Sequence, residues 1–130
     1  MRLAIVQVAW VFLGGGVGSV ARFGMQRWAA QTFVLSLPVG TLLVNLIGSF
    51  LLGVLLTWGA GSEQLSPEVK LALATGVLGG FTTYSGFNAE VLGLFQRGSM
   101  GIAVTYLIST VAGCLVAGLL GHVGARLVVS

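Results

Sequence analysis

Gly76-Val77-Leu78-Gly79-Gly80-Phe81-Thr82-Thr83-Tyr84-Ser85-Gly86-Phe87 lies in the middle of an apolar run from Val69 to about Phe95. Paired glycines followed by hydroxyl residues are poor helix-interior material. Glycine carries the largest backbone entropy loss, and short hydroxyl side chains compete for backbone groups. The stretch predicts a helix that breaks at about Gly79 to Thr83. Non-helical backbone at membrane depth is tolerated only where it is buried in protein or lines a cavity. Broken helices also aim dipole ends and freed carbonyls at ions. Two readings stand at this point: an ion site, and a packing kink of the kind glycine pairs produce.

The rest of the chain supplies the membrane. Of 130 residues, 56% are hydrophobic and only 7% charged, with 21 glycines and a mean hydropathy of +1.03. A soluble domain carries about 25% charged residues, so this chain cannot cover a water-facing surface. That excludes a soluble enzyme and a disordered chain. Six cations are too few for a basic patch, which excludes a nucleic-acid partner. A spanning helix needs about 20 mostly apolar residues, and four fit, at about 3–30, 38–58, 67–96 and 99–127, as a single transmembrane domain over 1–130. The apolar runs are continuous rather than alternating, which predicts an all-α bundle and not a barrel. The lone Cys114 has no disulfide partner and no ligand cluster.

Local signals place the ends. Arg2, an apolar run and Ser19-Val20-Ala21 imitate a cleavable signal. Against that, Gly14, Gly15, Gly16 and Gly18 suit close helix packing, and cleavage would leave three spans. The segment is therefore read as a span. Pro38 suits the start of the second span. Gly59-Ala60-Gly61-Ser62-Glu63 reads as a polar loop. Ser66-Pro67-Glu68 reads as a helix start, with Ser66 as N-cap. Gln96-Arg97-Gly98 makes the last turn. Gly113, Ala117 and Gly121 repeat at a spacing of four, as do Gly14 and Gly18, which lets helices approach closely.

With four spans, Arg2, Lys70 and Arg126 fall on one side of the membrane and Arg22, Arg27 and Arg97 on the other. Orientation follows the Lys/Arg excess in short loops, and here there is none. The balance predicts dual topology, with an antiparallel homodimer as its consequence. The alternative is that one cation or the N-terminal amine tips the balance.

A few polar residues interrupt the spans. Asn45 sits midway along the second, in Gly40-Thr41-Leu42-Leu43-Val44-Asn45-Leu46-Ile47-Gly48-Ser49, either as interhelical glue or as an amide donor to an anion. Thr82, Thr83 and Ser85 offer hydroxyls around the break. Tyr84 and Phe87 share a face if the helix resumes, as core or as ring edges, which carry partial positive charge. Tyr106, Thr110 and Cys114 recur at i, i+4 and i+8, forming either a polar track or separate bonds back to helix carbonyls. Glu90 is the one acid in the interior of a span, near its end, and either snorkels, caps a neighbour or binds a cation. His122 reads as a surface residue, and Trp28 and Trp58 as interfacial anchors.

Three blocks in order carry a resemblance that covers essentially the whole chain. They are Gly14-Gly15-Gly16-Val17-Gly18-Ser19-Val20-Ala21-Arg22, then Gly40 to Phe50 around Asn45, then Gly79-Gly80-Phe81-Thr82-Thr83-Tyr84-Ser85-Gly86-Phe87 with Glu90 following. The chain resembles the Fluc or CrcB family of bacterial fluoride channels. The resemblance implies a multi-pass protein of the bacterial cytoplasmic (inner) membrane. It implies an antiparallel dual-topology homodimer in the lipid bilayer, with two fluoride pores that each use residues of both subunits. The family's pore asparagine falls on Asn45, its pore phenylalanines on Tyr84 and Phe87, and its polar track on Tyr106, Thr110 and Cys114. Its structural sodium ion (Na+), held by backbone carbonyls at the dimer centre, falls on Gly79 and Thr82. Arg22 falls at a vestibule, and Thr41, Ser85 and Glu90 match further polar positions. Asn45, Thr83, Ser85 and Thr110 are then the convergent donors that replace fluoride's water. The chain departs from the family at Tyr84, which stands for Phe, at Gly86, which stands for Thr, and at Cys114, which stands for Ser.

The implied role is passive fluoride export, with no catalytic residue. Two rivals are of other kinds. A small dual-topology multidrug-type exporter needs a carboxylate in its first span, and this first span has none. A non-transport assembly subunit would need the packing glycines alone, without the Asn45 block or the broken helix.

Overall fold

The computed structural model describes residues 2–61 and 65–129. Among the described residues every regular element is helical. α1 is Arg2–Thr32, α2 Val39–Gly61, α3 Pro67–Leu71, α4 Gly79–Phe81, α5 Tyr84–Gln96 and α6 Met100–Val129. Between α3 and α4 the backbone is π-helical over Ala72–Leu78. Within α1, α2 and α6, three stretches are long and apolar enough to cross a membrane: Ala4–Thr32, Val39–Gly59 and Met100–Val128. The third apolar run of the sequence is instead divided into α3, the π-helical stretch, α4 and α5. The polar loop expected from Gly59 is shorter, because α2 continues through Gly61; Ser62 and Glu63 lie outside the described residues.

The break falls inside the expected bounds but not on the glycines. Gly79 and Gly80 are helical; Thr82 and Thr83 are the extended residues, at φ −81°, ψ 158° and φ −150°, ψ 117°. Gly80 serves packing, together with Gly14, Gly18 and Gly76. A methyl on Gly80 would lie 2.6 Å from the carbonyl oxygen of Gly15, and one on Gly14 2.6 Å from that of Ala72. A methyl on Gly18 would collide with the Val77 carbonyl, and one on Gly76 would come 3.1 Å from the Cα of Gly14. α1 therefore lies backbone to backbone against the π-helical stretch and α4, an approach only residues without Cβ allow. A π-helical turn carries an extra residue per hydrogen-bonded ring, and nothing in the residue pattern announced one.

Elsewhere the local signals hold. Ser66 accepts from the Val69 N–H at 3.3 Å with Pro67 in the first turn. Gly98 turns the chain into α6 at φ 74°, in the left-handed region that favours glycine. α2 and α6 pack closely through Gly53, Gly118 and Gly121, where a methyl on Gly53 or Gly121 would strike the opposite helix's carbonyls. His122, expected at the surface, is partly buried at this contact. Thr57 Oγ1 donates to Gly53 O at 2.9 Å, so its lone pair is free to accept from His122 Nδ1–H, 2.6 Å away. The core proper joins α5 to α6 through Phe87, Val91, Leu94, Ala103 and Tyr106.

Candidate functional site: a cavity at the broken helix

Asn45 decides how the chain survives its break. It projects from mid-α2, 8% exposed, and pairs with Thr83 at both ends of its amide. Asn45 Nδ2 donates to Thr83 O at 3.1 Å, and the Thr83 N–H donates to Asn45 Oδ1 at 2.9 Å. The side-chain amide acts as a surrogate peptide for two backbone groups that the extended residues take out of the helix. In lipid such groups cannot turn to water. Further bonds complete the junction. Thr82 N and Thr82 Oγ1 both donate to Leu78 O, each at 3.0 Å. Thr83 Oγ1 accepts from Gly86 N at 3.0 Å, capping α5. Because the Thr83 N–H goes to Asn45, the Gly79 carbonyl loses the partner it would have in a continuous helix.

A cavity of about 320 Å³ opens at this junction. It is lined by Asn45, Gly79, Thr82, Thr83, Tyr84 and Phe87 from the α2 and broken-helix side, and by Thr110 and Cys114 of α6. Thr110 is 5% exposed, and its Oγ1 has no hydrogen-bond partner. That excludes a bond back to a helix carbonyl and leaves a buried hydroxyl beside the cavity. Phe87 is buried, with its ring against Tyr84 (centroids 5.8 Å apart) and Tyr106 (5.2 Å), both edge-on. Tyr84 is 79% exposed.

A second cluster lies beyond Phe87. Gln26 Nε2 donates to Thr41 Oγ1 at 2.9 Å, and Thr41 Oγ1 donates to Glu90 Oε1 at 2.8 Å. The Tyr106 O–H donates to Glu90 Oε2 at 2.7 Å. Glu90 thus neither snorkels nor caps; both its oxygens are held by hydroxyl donors. Gln26, Thr41 and Glu90 border another cavity, of about 480 Å³. The track expected on α6 is accordingly divided. Tyr106 belongs to the Glu90 cluster, whereas Thr110 and Cys114 belong to the break cavity.

Arg22 donates from Nη1 to Thr82 O at 3.4 Å. It lies one turn past Gly18, so the close approach of α1 carries its guanidinium to the C-terminal, electronegative end of α4. Ser85 is exposed and borders neither cavity. Gln26 is the residue that motif reading missed. Its signal was present, since Gly14, Gly18, Arg22 and Gln26 form one stripe at a spacing of four. No group of three or more His, Cys, Asp or Glu among the described residues could hold a metal; a cation here would need backbone oxygen. Gly79 O, freed by the break, and Thr82 O are hard donors of the kind such an ion takes, although Thr82 O already accepts from Arg22.

Long apolar helices around a largely apolar cavity that holds a few polar groups, with a broken helix closed by a buried amide, define a multi-pass membrane protein of the channel or transporter kind. The chain belongs to the family described as CrcB-like protein, Camphor Resistance (CrcB), whose model matches residues 9–122. It is 48% identical over 117 residues to a protein of Sorangium cellulosum (strain So ce56) named fluoride-specific ion channel FluC, covering 90% of this chain and 92% of that one. It is 51% identical over 107 residues to the protein of that name from Anaeromyxobacter sp. (strain K), covering 82% and 85%. A third, from Agrobacterium fabrum (strain C58 / ATCC 33970), is 41% identical over 106 residues, covering 82% and 85%.

Proposed function

We propose that this protein is a fluoride-selective channel that lets cytoplasmic fluoride leave passively across the bacterial cytoplasmic membrane. The observation that carries the reading is the break cavity, with its buried amide, unpartnered Thr110 hydroxyl and Phe87 ring, in a chain so similar to proteins named for that activity. Fluoride is small and tightly hydrated, so a pore must replace its water with donors. Asn45 uses one Nδ2 hydrogen on Thr83 O and has a second to offer. Thr110 offers its O–H, and Phe87 and Tyr84 offer ring edges with partial positive charge. Selectivity follows from the size of the site and the arrangement of its donors.

The functional unit is an antiparallel dimer with two pores, and the broken helix is the third of each copy's four spans. Tyr84, Ser85 and Asn88 are exposed along α5, and an amide facing lipid is costly enough to call for a protein partner. A second copy would cover this face and close the cavity that Tyr84 borders. Gly79 and Thr82 carbonyls, with those of the second copy, would hold a structural sodium ion. Bound there, the ion would offset carbonyl charge and make the neighbouring path more favourable to an anion.

The test is release of anions from liposomes holding the purified protein, with voltage clamped by valinomycin. Rapid fluoride release without chloride release is expected. No fluoride release from folded protein sinks the proposal.

A further inference from the structure

The sole cysteine of the chain lines the break cavity. Cys114 is a free thiol, partly exposed, one turn beyond Thr110 on α6. Asn45 and Thr83 line the same cavity. Thr110 supplies the independent sign that this wall receives a ligand: its hydroxyl is 5% exposed and has no partner. Buried hydroxyls in folded proteins are almost always hydrogen-bonded, so an orphan beside an open cavity marks a place where a water or an ion sits. Cys114 therefore flanks a spot that the path must keep clear for small polar occupants.

We propose that Cys114 is a covalent modification site for small sulfur electrophiles, and that a mixed disulfide formed there closes the fluoride path. This rests on the channel reading above. A thiosulfonate supplies the chemistry. The Cys114 thiolate attacks the divalent sulfur of methyl methanethiosulfonate, and a bond forms between Sγ and the methylthio sulfur. The bond from that sulfur to the sulfonyl group breaks, and methanesulfinate leaves with the electron pair. The thiol proton goes to water. Sγ is oxidised and the sulfonyl sulfur reduced. The cavity of about 320 Å³ has room for the added group, which displaces on the order of two waters at about 30 Å³ each. The group is apolar and has no donor, so it stands where the path needs hydrogen-bonding space.

The experiment uses the whole protein in liposomes, treated with methyl methanethiosulfonate. Labelling is followed by intact mass and fluoride release by electrode. Expected are the gain of one methylthio group and a fall in release of roughly tenfold or more, since the adduct fills with apolar atoms the space in which a passing ion needs water and donors. Dithiothreitol should restore both mass and release. Cys114→Ser should show no mass gain, and its release, whatever its level, should not respond to the reagent. A labelled protein with undiminished release overturns the proposal and leaves the channel reading standing. A thiol that labels only after unfolding also overturns it. Failure of the untreated protein to release fluoride sinks the channel reading itself, and this proposal with it.

Discussion

Replacing Asn45 by Ala strands the Thr83 N–H and C=O, both bonded only through that side chain among the described contacts. A buried group left unpaired costs about 1–3 kcal/mol. Asn45→Ala should therefore lower the unfolding temperature in detergent as well as fluoride release. Asn45→Asp keeps an acceptor for the N–H but sets a carboxylate oxygen against Thr83 O, so it should be no more stable than the alanine variant. Thr110→Val separates function from fold. Its hydroxyl has no protein partner, so the near-isosteric valine forfeits no internal hydrogen bond. Unfolding temperature should hold or rise while fluoride release falls. A release rate equal to the parent's would remove Thr110 from the path. Tyr106→Phe keeps the ring against Phe87 but deletes the donor to Glu90 Oε2. A buried acceptor left without its donor costs about 1–3 kcal/mol, and a stability loss of that order is expected on thermal unfolding.

At the scale of elements, the broken helix stands because α1 and α2 attend to it from two sides. α2 contributes the Asn45 amide. α1 contributes a glycine stripe that continues into Arg22 and Gln26. Gly18→Val should be among the most damaging single changes in the chain, because Cβ would meet the backbone of Val77 and Phe81 rather than a movable side chain. Overpacking costs about 1–3 kcal/mol where neighbours can shift; backbone cannot, and loss of folded protein in size-exclusion chromatography is the expected result. Arg22→Gln should be milder. A cation near a helix C-terminus is worth about 0.3–1 kcal/mol, so the fold should persist with faster amide exchange at Thr82 and Thr83. Exchange rates unchanged from the parent would show that Arg22 does not hold the break.

For the whole molecule, the decisive number is the balance of three cations on each side expected from four spans. If orientation is set by that balance, two lysines added beside Arg97 should force one topology. Fluoride release should then fall, because an antiparallel pair needs both orientations. Co-expression with a variant biased the other way, by lysines added beside Lys70, should restore it. Full release from the singly biased protein would rule out the antiparallel dimer. The same experiment reads the exposed face of α5, where Ser85 and Asn88 sit uncovered in one protomer.

The membrane class, the helical bundle and the position of the broken helix within a few residues were legible in the sequence. Each depends on composition or on local backbone preference, which a short window of residues contains. Asn45 and the hydroxyls of Thr82, Thr83 and Ser85 were legible as polar interruptions for the same reason: polar groups in apolar runs stand out one by one. What they bond to was not. That Asn45 closes the break through Thr83, that Tyr106 belongs to Glu90 rather than to Thr110, and that Arg22 reaches Thr82 each join residues 16 to 60 positions apart. The paired glycines show the same limit. The break expected at about Gly79 to Thr83 falls at its C-terminal end, on Thr82 and Thr83, while Gly79 and Gly80 stay helical and Gly80 packs against Gly15 of α1. Local propensity amounts to about 1 kcal/mol per glycine, and tertiary contact is large enough to override it. Pairings between distant segments depend on how helices approach, and only the assembled structure decides that.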